Sequence, residues 1–587
     1  MFKKSLLLFF FVSQALLAGA QTITEPAKPA EDEKLNKAAV DFLRETLSDV
    51  NNLHSLENRI SFTSELAGLM WFRDEHQART MFGGLISDFQ QLVAQYDGQM
   101  NALGVKGDEV EAGYPSLFTG DQTERSKIER RFRTAMAVRQ QIAMSIAEHD
   151  PDLAFSFYYD SLNVITNPEF RKQADNSNRY FEFQLMNMVA EKAPDKAVKF
   201  ATKALANGFN FQHIEILKKI YAKDPEKASS FAADILSKIK SDKIKREDFW
   251  VVNSLISFGS QTLDDSRKDG GKKAVYTEGD LKDLSEALAQ SILDQPTESM
   301  YDAVNYLSQI ERYAPNRALQ IKAKIRKKDL PPANKVYTAN AVATGNYSTG
   351  PDPEGDVNSA PANENEKAKN EKQMMDDVMK VGSKELPKEQ RDSIIAQARK
   401  ILMSTPGRDK KITGLSMLAA QVAKAGDKDL AAQIMKDAES LVNPQPKNYR
   451  DFLLTWMLVN GYASVNPDKA FPLLDEAIGR VNDTLTAFVK VGEFIDANEE
   501  MIQDGEVQVG AFGGAMISGM TRELGMADST IKILAKADFE KTKSLTYRFE
   551  RPEVRILAKM MVLRAVLGEK NPPKTDIDVG VLSSDGN

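Results

Sequence analysis

The side chains that most often perform chemistry are few in this chain. Its four histidines, His54, His76, His149 and His213, are far apart, and no two have the four-residue spacing that places a metal-binding pair on one helix face. Cysteine is absent, which excludes thiol nucleophiles, cysteine zinc sites and iron–sulfur clusters. The sequence contains no Walker phosphate loop, His-Glu-x-x-His pair or Gly-x-Ser-x-Gly elbow. We therefore predict no catalytic, cofactor-binding or metal-binding residue.

Two aromatic clusters are candidates for a binding surface. One consists of Phe155, Phe157, Tyr158 and Tyr159, and the other of Tyr180, Phe181 and Phe183. In a helix, Phe157 and Tyr158 share a stripe, whereas Phe155 and Tyr159 project elsewhere. We interpret both clusters mainly as core residues of helices that are buried on two sides, with a ligand or peptide contact as the alternative.

The glycine-rich segment 505–519 is the most distinctive local feature. Its run from Gly510 to Met516 resembles the Gly-Ala-x-Gly-Leu-Met segment of lytic transglycosylases, which are exported enzymes. That family has a required Glu-Ser upstream, where this chain has Glu499-Glu500-Met501, so no catalytic residue is transferred from the resemblance. We interpret the segment as a loop entering a helix that packs closely through small residues.

A helix-start signature recurs along the chain. Five copies have proline after the capping position and alanine three residues later, and two copies lack the proline; they begin at Asp150, Ala193, Asp224, Ala314 and Asn466, and at Asp74 and Asp427. Asp or Asn accepts a hydrogen bond from a free backbone N–H, and proline supplies a preset φ. The alanine is small enough for the preceding helix to approach closely. Apolar stripes on both sides predict αα-hairpins.

These units resemble those of tetratricopeptide-like α-solenoid proteins, which stack helix pairs and place Asp-Pro or Gly-Asp beside an alanine near a helix start. Gly426-Asp427 resembles the turn between their paired helices. The resemblance covers most of residues 36–328 and 366–568, without a constant spacing of about 34 residues. It implies a binding scaffold with a concave surface. A non-repetitive all-α globule is the alternative.

The predicted fold is all-α, an irregular α-solenoid of stacked αα-hairpins in two halves joined by a disordered linker. We expect a signal peptide over residues 1–20 and a disordered leader over 21–33. Helical repeat domains follow over 34–329 and 367–568, and a proline-rich linker or long loop over 330–366 separates them. A disordered tail covers 569–587.

The N-terminus predicts export. Lys3 and Lys4 precede an apolar run from Leu6 to Leu17, and Ala18-Gly19-Ala20 completes the order of a secretory signal. The run is shorter than the roughly 20 residues that span a bilayer, so we expect cleavage, a periplasmic or extracellular product and no membrane span afterwards. An uncleaved anchor helix is the alternative.

Composition limits the class of partner. The formal net charge is −7, whereas a dedicated nucleic-acid binder needs a basic stripe. We therefore expect a non-catalytic scaffold, without a cofactor, that binds a protein or an envelope polymer. One alternative is an exported carboxylate-dependent polysaccharide or cell-wall hydrolase or lyase. The other is a structural envelope spacer.

Overall fold

A computed structural model describes residues 29–106, 123–242, 244–268, 271–296, 301–325, 378, 381–382, 387–495, 501–512 and 525–568. Almost all of these residues are helical, as predicted for an all-α protein. None of the helices within these ranges combines the length and the apolar character that crossing a bilayer requires. The predicted signal peptide, linker and tail lie outside the described residues.

The helices are numbered in chain order. The first four are α1 (Pro29–Asn51), α2 (Leu56–Trp71), α3 (Glu75–Lys106) and α4 (Glu124–Ala147). The next nine are α5 (Pro151–Asp160), α6 (Pro168–Lys192), α7 (Pro194–Ala204), α8 (Phe211–Lys223), α9 (Pro225–Ser241), α10 (Phe249–Ser266), α11 (Glu278–Leu293), α12 (Leu307–Tyr313) and α13 (Pro315–Lys324). Short 3-10 turns lie at Leu205–Asn207, Arg246–Asp248 and Tyr301–Tyr306.

The C-terminal part contains eight more helices and two short strands. They are α14 (Lys388–Ser404), α15 (Arg408–Lys424), α16 (Lys428–Glu439), α17 (Tyr449–Val465), α18 (Pro467–Ile495), β1 (Ile502–Gln503), β2 (Glu506–Val507), α19 (Gly525–Ala537), α20 (Phe539–Thr546) and α21 (Pro552–Leu567).

All seven predicted helix starts are confirmed. Helices α3, α5, α7, α9, α13, α16 and α18 begin directly after the predicted capping positions. The Asp150 and Asp224 side chains accept hydrogen bonds from backbone N–H groups three residues later, at 3.1 Å each. Ala193 and Ala314 occupy the same position without a side-chain bond.

The alanines of the signature are all buried. The exposed fraction is 0 or 1% for each of these seven residues, which are Ala78, Ala154, Ala197, Ala228, Ala318, Ala431 and Ala470. A side chain of one methyl group lets helix backbones approach closely, because a longer side chain would separate them. The burial of every copy therefore supports the packing role predicted for this position.

The turn from α15 to α16 uses the predicted Gly426-Asp427 pair. Gly426 has a φ of +100°, a conformation that glycine adopts without steric cost. Its N–H donates to Ala423 O at 3.0 Å, and the N–H of Asp427 donates to Val422 O at 3.2 Å, which is the Schellman pattern. The Asp427 side chain then caps α16 by accepting from Leu430 N at 3.0 Å.

The chain divides into two compact units. Of the described residues, unit 1 contains those between 29 and 92, between 106 and 131 and between 378 and 568, and unit 2 contains those between 93 and 105 and between 132 and 325. This grouping differs from the predicted domains over 34–329 and 367–568, because α1 and α2 belong with the C-terminal helices. The predicted linker over 330–366 is outside the described residues and stays a prediction.

Helices of unit 2 pack largely in chain order. Helix α6 contacts α7 and α8, and α7 contacts α8 and α9. Most helices up to α13 likewise contact the next helix in the chain and the one after it. Each helix of this series is therefore covered mainly by helices close to it in the chain.

Unit 1 contains a serial part and a contact between the two ends of the chain. Helices α14 to α18 pack in order around one hydrophobic core. Helix α21, however, packs on both α1 and α2. The buried stripe of α1 explains this contact, because Phe42, Leu43 and Val50 are 0% exposed and need an apolar partner.

A β-hairpin in unit 1 was not predicted. Strands β1 and β2 pair antiparallel, with Ile502 opposite Val507, and the turn between them is Asp504-Gly505. Both turn residues have positive φ, 51° and 76°, as a two-residue Asp-Gly hairpin turn requires. The glycine-rich segment that was interpreted as a loop therefore contains strand β2 near its start, and its residues 513–519 lie outside the described residues.

One smaller expectation also differs. Helix α1 begins at Pro29, within the predicted leader over 21–33. Helix α18 begins at Pro467 and continues through Pro472.

Candidate binding surface

Unit 2 places the beginnings of α8 and α10 side by side. The rings of Phe211, the first residue of α8, and Trp250, the second residue of α10, have centroids 5.1 Å apart with 33° between their planes. Further along, Tyr221 and Phe258 meet edge to face at 5.8 Å. The first turns of α8 and α10 are thus in contact with each other, and so are residues further along both helices. The two helices therefore run in the same direction.

Local sequence explains where each helix begins. Asn210 caps α8 by accepting from Gln212 N at 3.0 Å, and the His213 ring accepts from the backbone N–H of Asn210 at 3.3 Å. Helix α10 follows the turn Arg246–Asp248. Its buried side is anchored by residues such as Val252, Leu255 and Ile256. Burial of that side directs Trp250 outward, one residue from the buried Phe249.

Trp250 is unusually exposed for a large aromatic side chain. Its exposed fraction is 49%, and Phe211 is half-buried beside it. A large apolar ring in water is a recognised sign of an interaction site when neighbouring side chains extend the same surface. The pair therefore marks this end of unit 2 as a candidate contact surface.

The outward side of α10 is uncharged. No Asp, Glu, Lys or Arg occurs from Phe249 to Leu263, although 27% of the whole chain is charged. Trp250, Ser254, Ser257 and Gln261 follow one another at helical spacing and are exposed or half-buried. This side of α10 thus presents a ring, two hydroxyls and an amide.

Helix α8 adds one ion pair to the surface. Lys218 Nζ lies 2.8 Å from Glu215 Oε1 and 5.7 Å from the centroid of the Phe211 ring. The two charges therefore neutralise each other locally. We call Phe211, Glu215, Lys218, Trp250, Ser254, Ser257 and Gln261 together the α8–α10 surface.

Comparison with models of protein families and with curated proteins finds no match to this chain.

The four histidines have different structural settings. His54 lies before α2, and its backbone N–H donates to Glu506 Oε1 at 2.7 Å. His76 is exposed in the first turn of α3. Burial, with a smaller effect of Lys192, lowers the pKa of His149. His213 is fully buried, and burial lowers its pKa to about 4 even though the Asn210 backbone bond opposes this change.

The predicted aromatic clusters lie mostly in the core of unit 2. Phe155, Phe157, Tyr158 and Phe181 are at most 5% exposed. Phe155 stacks on Phe200 of α7 at 3.6 Å, although its position in the sequence pattern placed it off the main stripe. The half-buried Phe183 packs edge to face on His213, and the side chain of Tyr180 is outside the described residues.

A buried arginine explains part of this aromatic core. Arg139 is 1% exposed, and its Nε and Nη2 donate to the carbonyl of Tyr158 at 3.1 and 2.6 Å. Its guanidinium also lies 4.1 Å from the centroid of the Tyr158 ring. Burial lowers the pKa of Arg139 to about 10, so the group remains charged at neutral pH. Tyr159 donates its hydroxyl hydrogen to Glu182.

The carboxylates near the hairpin are held by structural hydrogen bonds. Glu506 Oε1 and Oε2 accept from the backbone N–H groups of His54 and Ser55, at 2.7 and 3.2 Å. Glu553 Oε1 accepts from Val507 N at 3.0 Å and from Arg551 Nε at 2.5 Å. Within the described ranges, no group of three or more His, Asp or Glu side chains is arranged to hold a metal ion.

Sequence reasoning missed the α8–α10 surface. The available signal was the uncharged stretch 249–263, which begins with an aromatic pair and contains polar residues at helical spacing. The contact between Phe211 and Trp250 could not be predicted from the sequence, because the two residues belong to different helix pairs.

Proposed function

We propose that this protein is an exported, non-catalytic scaffold of stacked helix pairs that binds a protein or polymer partner in the periplasm or the extracellular medium. The observation that carries the proposal is the half-exposed Phe211–Trp250 pair on the α8–α10 surface. Helices that pack in chain order present the same face of successive pairs, which suits an extended ligand.

The serial contacts of α6 to α13 support an irregular α-solenoid in this part of the chain. Its first helices, α6, α8, α10 and α12, form one layer. Phe183 of α6 contacts His213 of α8, and Phe249 of α10 contacts Tyr306, the last residue of the 3-10 turn before α12. The second helices, α7, α9, α11 and α13, contact one another in order and form the other layer. The α8–α10 surface belongs to the first layer.

Trp250 supplies a physical reason for binding. Covering its exposed half removes apolar surface from water at about 25 cal/mol per Å². Tryptophan is also enriched among the residues that dominate binding energy, because one rigid side chain contributes a large contact area. We therefore assign Trp250 the role of the main anchor for the partner.

The export part of the proposal rests on the N-terminal sequence. Lys3 and Lys4 before the apolar run from Leu6 to Leu17 have the order of a secretory signal. Cysteine-free composition is compatible with an oxidising compartment, since a chain of 587 residues can bury a large core without disulfides.

Polysaccharide hydrolysis has less support from the titratable groups. Such an enzyme needs a carboxylic acid whose pKa is raised. Among the described carboxyl groups with a displaced pKa, Glu45, Glu191 and Asp264 are all lowered, through hydrogen bonds from lysine, tyrosine or arginine side chains that outweigh burial. These three groups are thus unsuited to act as general acids at neutral pH.

The proposal is tested by cross-linking in the exported fraction of the producing cell. The intact protein should recover a stoichiometric partner, and Trp250→Ala should lose it. Tyr449→Ala is the matched control, since Tyr449 is 55% exposed and is the first residue of α17 in unit 1. Turnover of a polysaccharide with no cross-linked partner would refute the scaffold function.

A further inference from the structure

We infer that the α8–α10 surface binds an uncharged polysaccharide strand, with a sugar ring stacked on Trp250. The inference rests on the proposed function, because it names the chemical class of the partner.

The charge of the surface disfavours strongly ionic partners, since the four charged residues 245–248 before α10 are two of each sign. An anionic polymer requires lysine or arginine side chains that neutralise its charges. The cation of the α8–α10 surface is Lys218, and Glu215 already lies 2.8 Å from it. Along α10, the row of Trp250, Ser254, Ser257 and Gln261 has no charge of either sign. An uncharged ligand is the electrostatic match for such a row.

The residue types of the row match the two sides of a sugar. A pyranose has apolar C–H faces, which pack on an aromatic ring, and hydroxyl groups around its edge. Trp250 offers the ring, while the hydroxyl of Ser257 and the amide of Gln261 can donate and accept hydrogen bonds. Ser254 donates to the carbonyl of Trp250 at 2.8 Å, which leaves its oxygen as an acceptor.

The row is long enough for several sugars. From Trp250 to Gln261 the helix advances about 16 Å at 1.5 Å per residue. A protein partner would instead be expected to meet a broader apolar centre surrounded by a polar rim. Here one ring pair is followed by hydroxyl and amide groups, so the arrangement favours the polysaccharide.

The test uses the full chain with Trp71→Phe and Trp456→Phe, which leaves Trp250 as its tryptophan. The probes are two neutral hexasaccharides, of β-1,4-linked glucose and of β-1,4-linked N-acetylglucosamine, and one sulfated hexasaccharide. Titration is followed by Trp250 emission, and calorimetry measures the affinities of the wild type, Trp250→Phe, Trp250→Ala and Tyr449→Ala. Circular dichroism checks that each variant is folded.

The inference expects a saturable emission change with at least one neutral hexasaccharide and none with the sulfated one. The dissociation constant should stay the same between about 50 mM and about 500 mM salt, since no ion pair is formed. Trp250→Ala should weaken binding at least about tenfold. Trp250→Phe should keep most of the affinity, and Tyr449→Ala all of it.

Three results would overturn the inference. Equal binding by a folded Trp250→Ala variant would refute the location. Failure of both neutral probes, while a photo-cross-linker at position 257 captures an exported protein in a Trp250-dependent way, would refute the polysaccharide and leave the scaffold function standing. Failure of both the probes and the cross-linking would refute the inference and the proposed function together.

Discussion

The carboxylate of Glu506 accepts a hydrogen bond from the backbone N–H of His54 at 2.7 Å, across 452 residues of sequence. Through this bond the hairpin of β1 and β2 is held against the beginning of α2, where the N-terminal backbone N–H groups favour negative charge. Asn58 adds a second attachment, because its Nδ2 donates to Val507 O at 3.0 Å. One buried carboxylate thus links the two ends of unit 1.

Replacing Glu506 should destabilise unit 1. In Glu506→Ala, the N–H groups of His54 and Ser55 lose their acceptor in a buried place, which we expect to lower the free energy of unfolding by about 2–4 kcal/mol. Glu506→Gln keeps an acceptor oxygen and should cost less. Urea unfolding measures both changes. The exposed Glu550, replaced by Ala, is the control, and equal midpoints for the Glu506→Ala and Glu550→Ala variants would contradict this role of Glu506.

Lys559 should stabilise the packing of α21 on α1. Its Nζ is 2.7 Å from both Glu45 Oε1 and Asp49 Oδ2, and its side chain is 1% exposed. Lys559→Met leaves the carboxylates of Glu45 and Asp49 without this partner. Because both side chains remain 39% exposed to water, we expect the free energy of unfolding to fall by about 1–3 kcal/mol. Lys541→Met, at a 44% exposed lysine paired with Asp468, should change stability by less than about 1 kcal/mol. Unfolding curves that rank the two variants in the opposite order would refute this expectation.

Glu45 should make the protein less stable in acid. Burial alone would raise the pKa of Glu45, but hydrogen bonds from Lys559, Tyr547 and Lys543 together hold it below the ordinary 4.5. The unfolded chain therefore takes up a proton more readily, so this contribution is complete above pH 4.5 and is lost as the pH falls through the lower folded pKa. Glu45→Gln should flatten the stability profile below pH 4.5, whereas Asp41→Asn, 64% exposed on the same helix, should not. Parallel acid profiles for wild type and Glu45→Gln would disprove the assignment.

His213 should produce a separate pH dependence in unit 2. Because burial lowers its pKa to about 4 from 6.5, the unfolded state gains a proton first as the pH falls. The contribution of His213 to the free energy of unfolding is therefore complete above pH 6.5. It should fall towards pH 4, with a slope of up to about 1.4 kcal/mol per pH unit. His213→Gln keeps a capping-box residue at the start of α8 and should remove this slope. The exposed His76→Gln is the control; an unchanged slope in His213→Gln, measured by unfolding between pH 4 and pH 6.5, would rule out this source.

The two capping alanines predict opposite effects of aspartate. Ala193 has φ −137° and ψ 76°, close to the −142° and 93° of Asp224, which caps α9 through its side chain. Ala193→Asp should therefore add a cap and stabilise by about 0.5–1 kcal/mol. Ala314 has a similar backbone but is 2% exposed, so Ala314→Asp buries a carboxylate and should destabilise. Thermal unfolding compares the two variants, and a shift in the same direction for both would show that burial does not decide the outcome.

The sequence predicted the helix starts because their causes are local. Asp150 and Asp224 cap with N–H groups three residues away, and the turn at Gly426 is closed by bonds between residues three and five positions apart. Such contacts form whichever partner the helix later meets. The candidate surface could be predicted only in part. The uncharged stretch 249–263 can be recognised in the sequence, but the contact of the Trp250 ring with Phe211 cannot.

Tertiary structure alone decided which helices pair over long distances. The apolar stripe of α1 shows that Phe42 and Leu43 must be buried, yet it does not specify α21, more than five hundred residues later, as the partner. The same limit hid the contact of Glu506 with His54 and that of Phe211 with Trp250. Periodicity predicts that one face of a helix must be buried. It does not identify the helix that buries this face, because the hydrophobic effect is non-directional and the partner depends on how all the helices fit together.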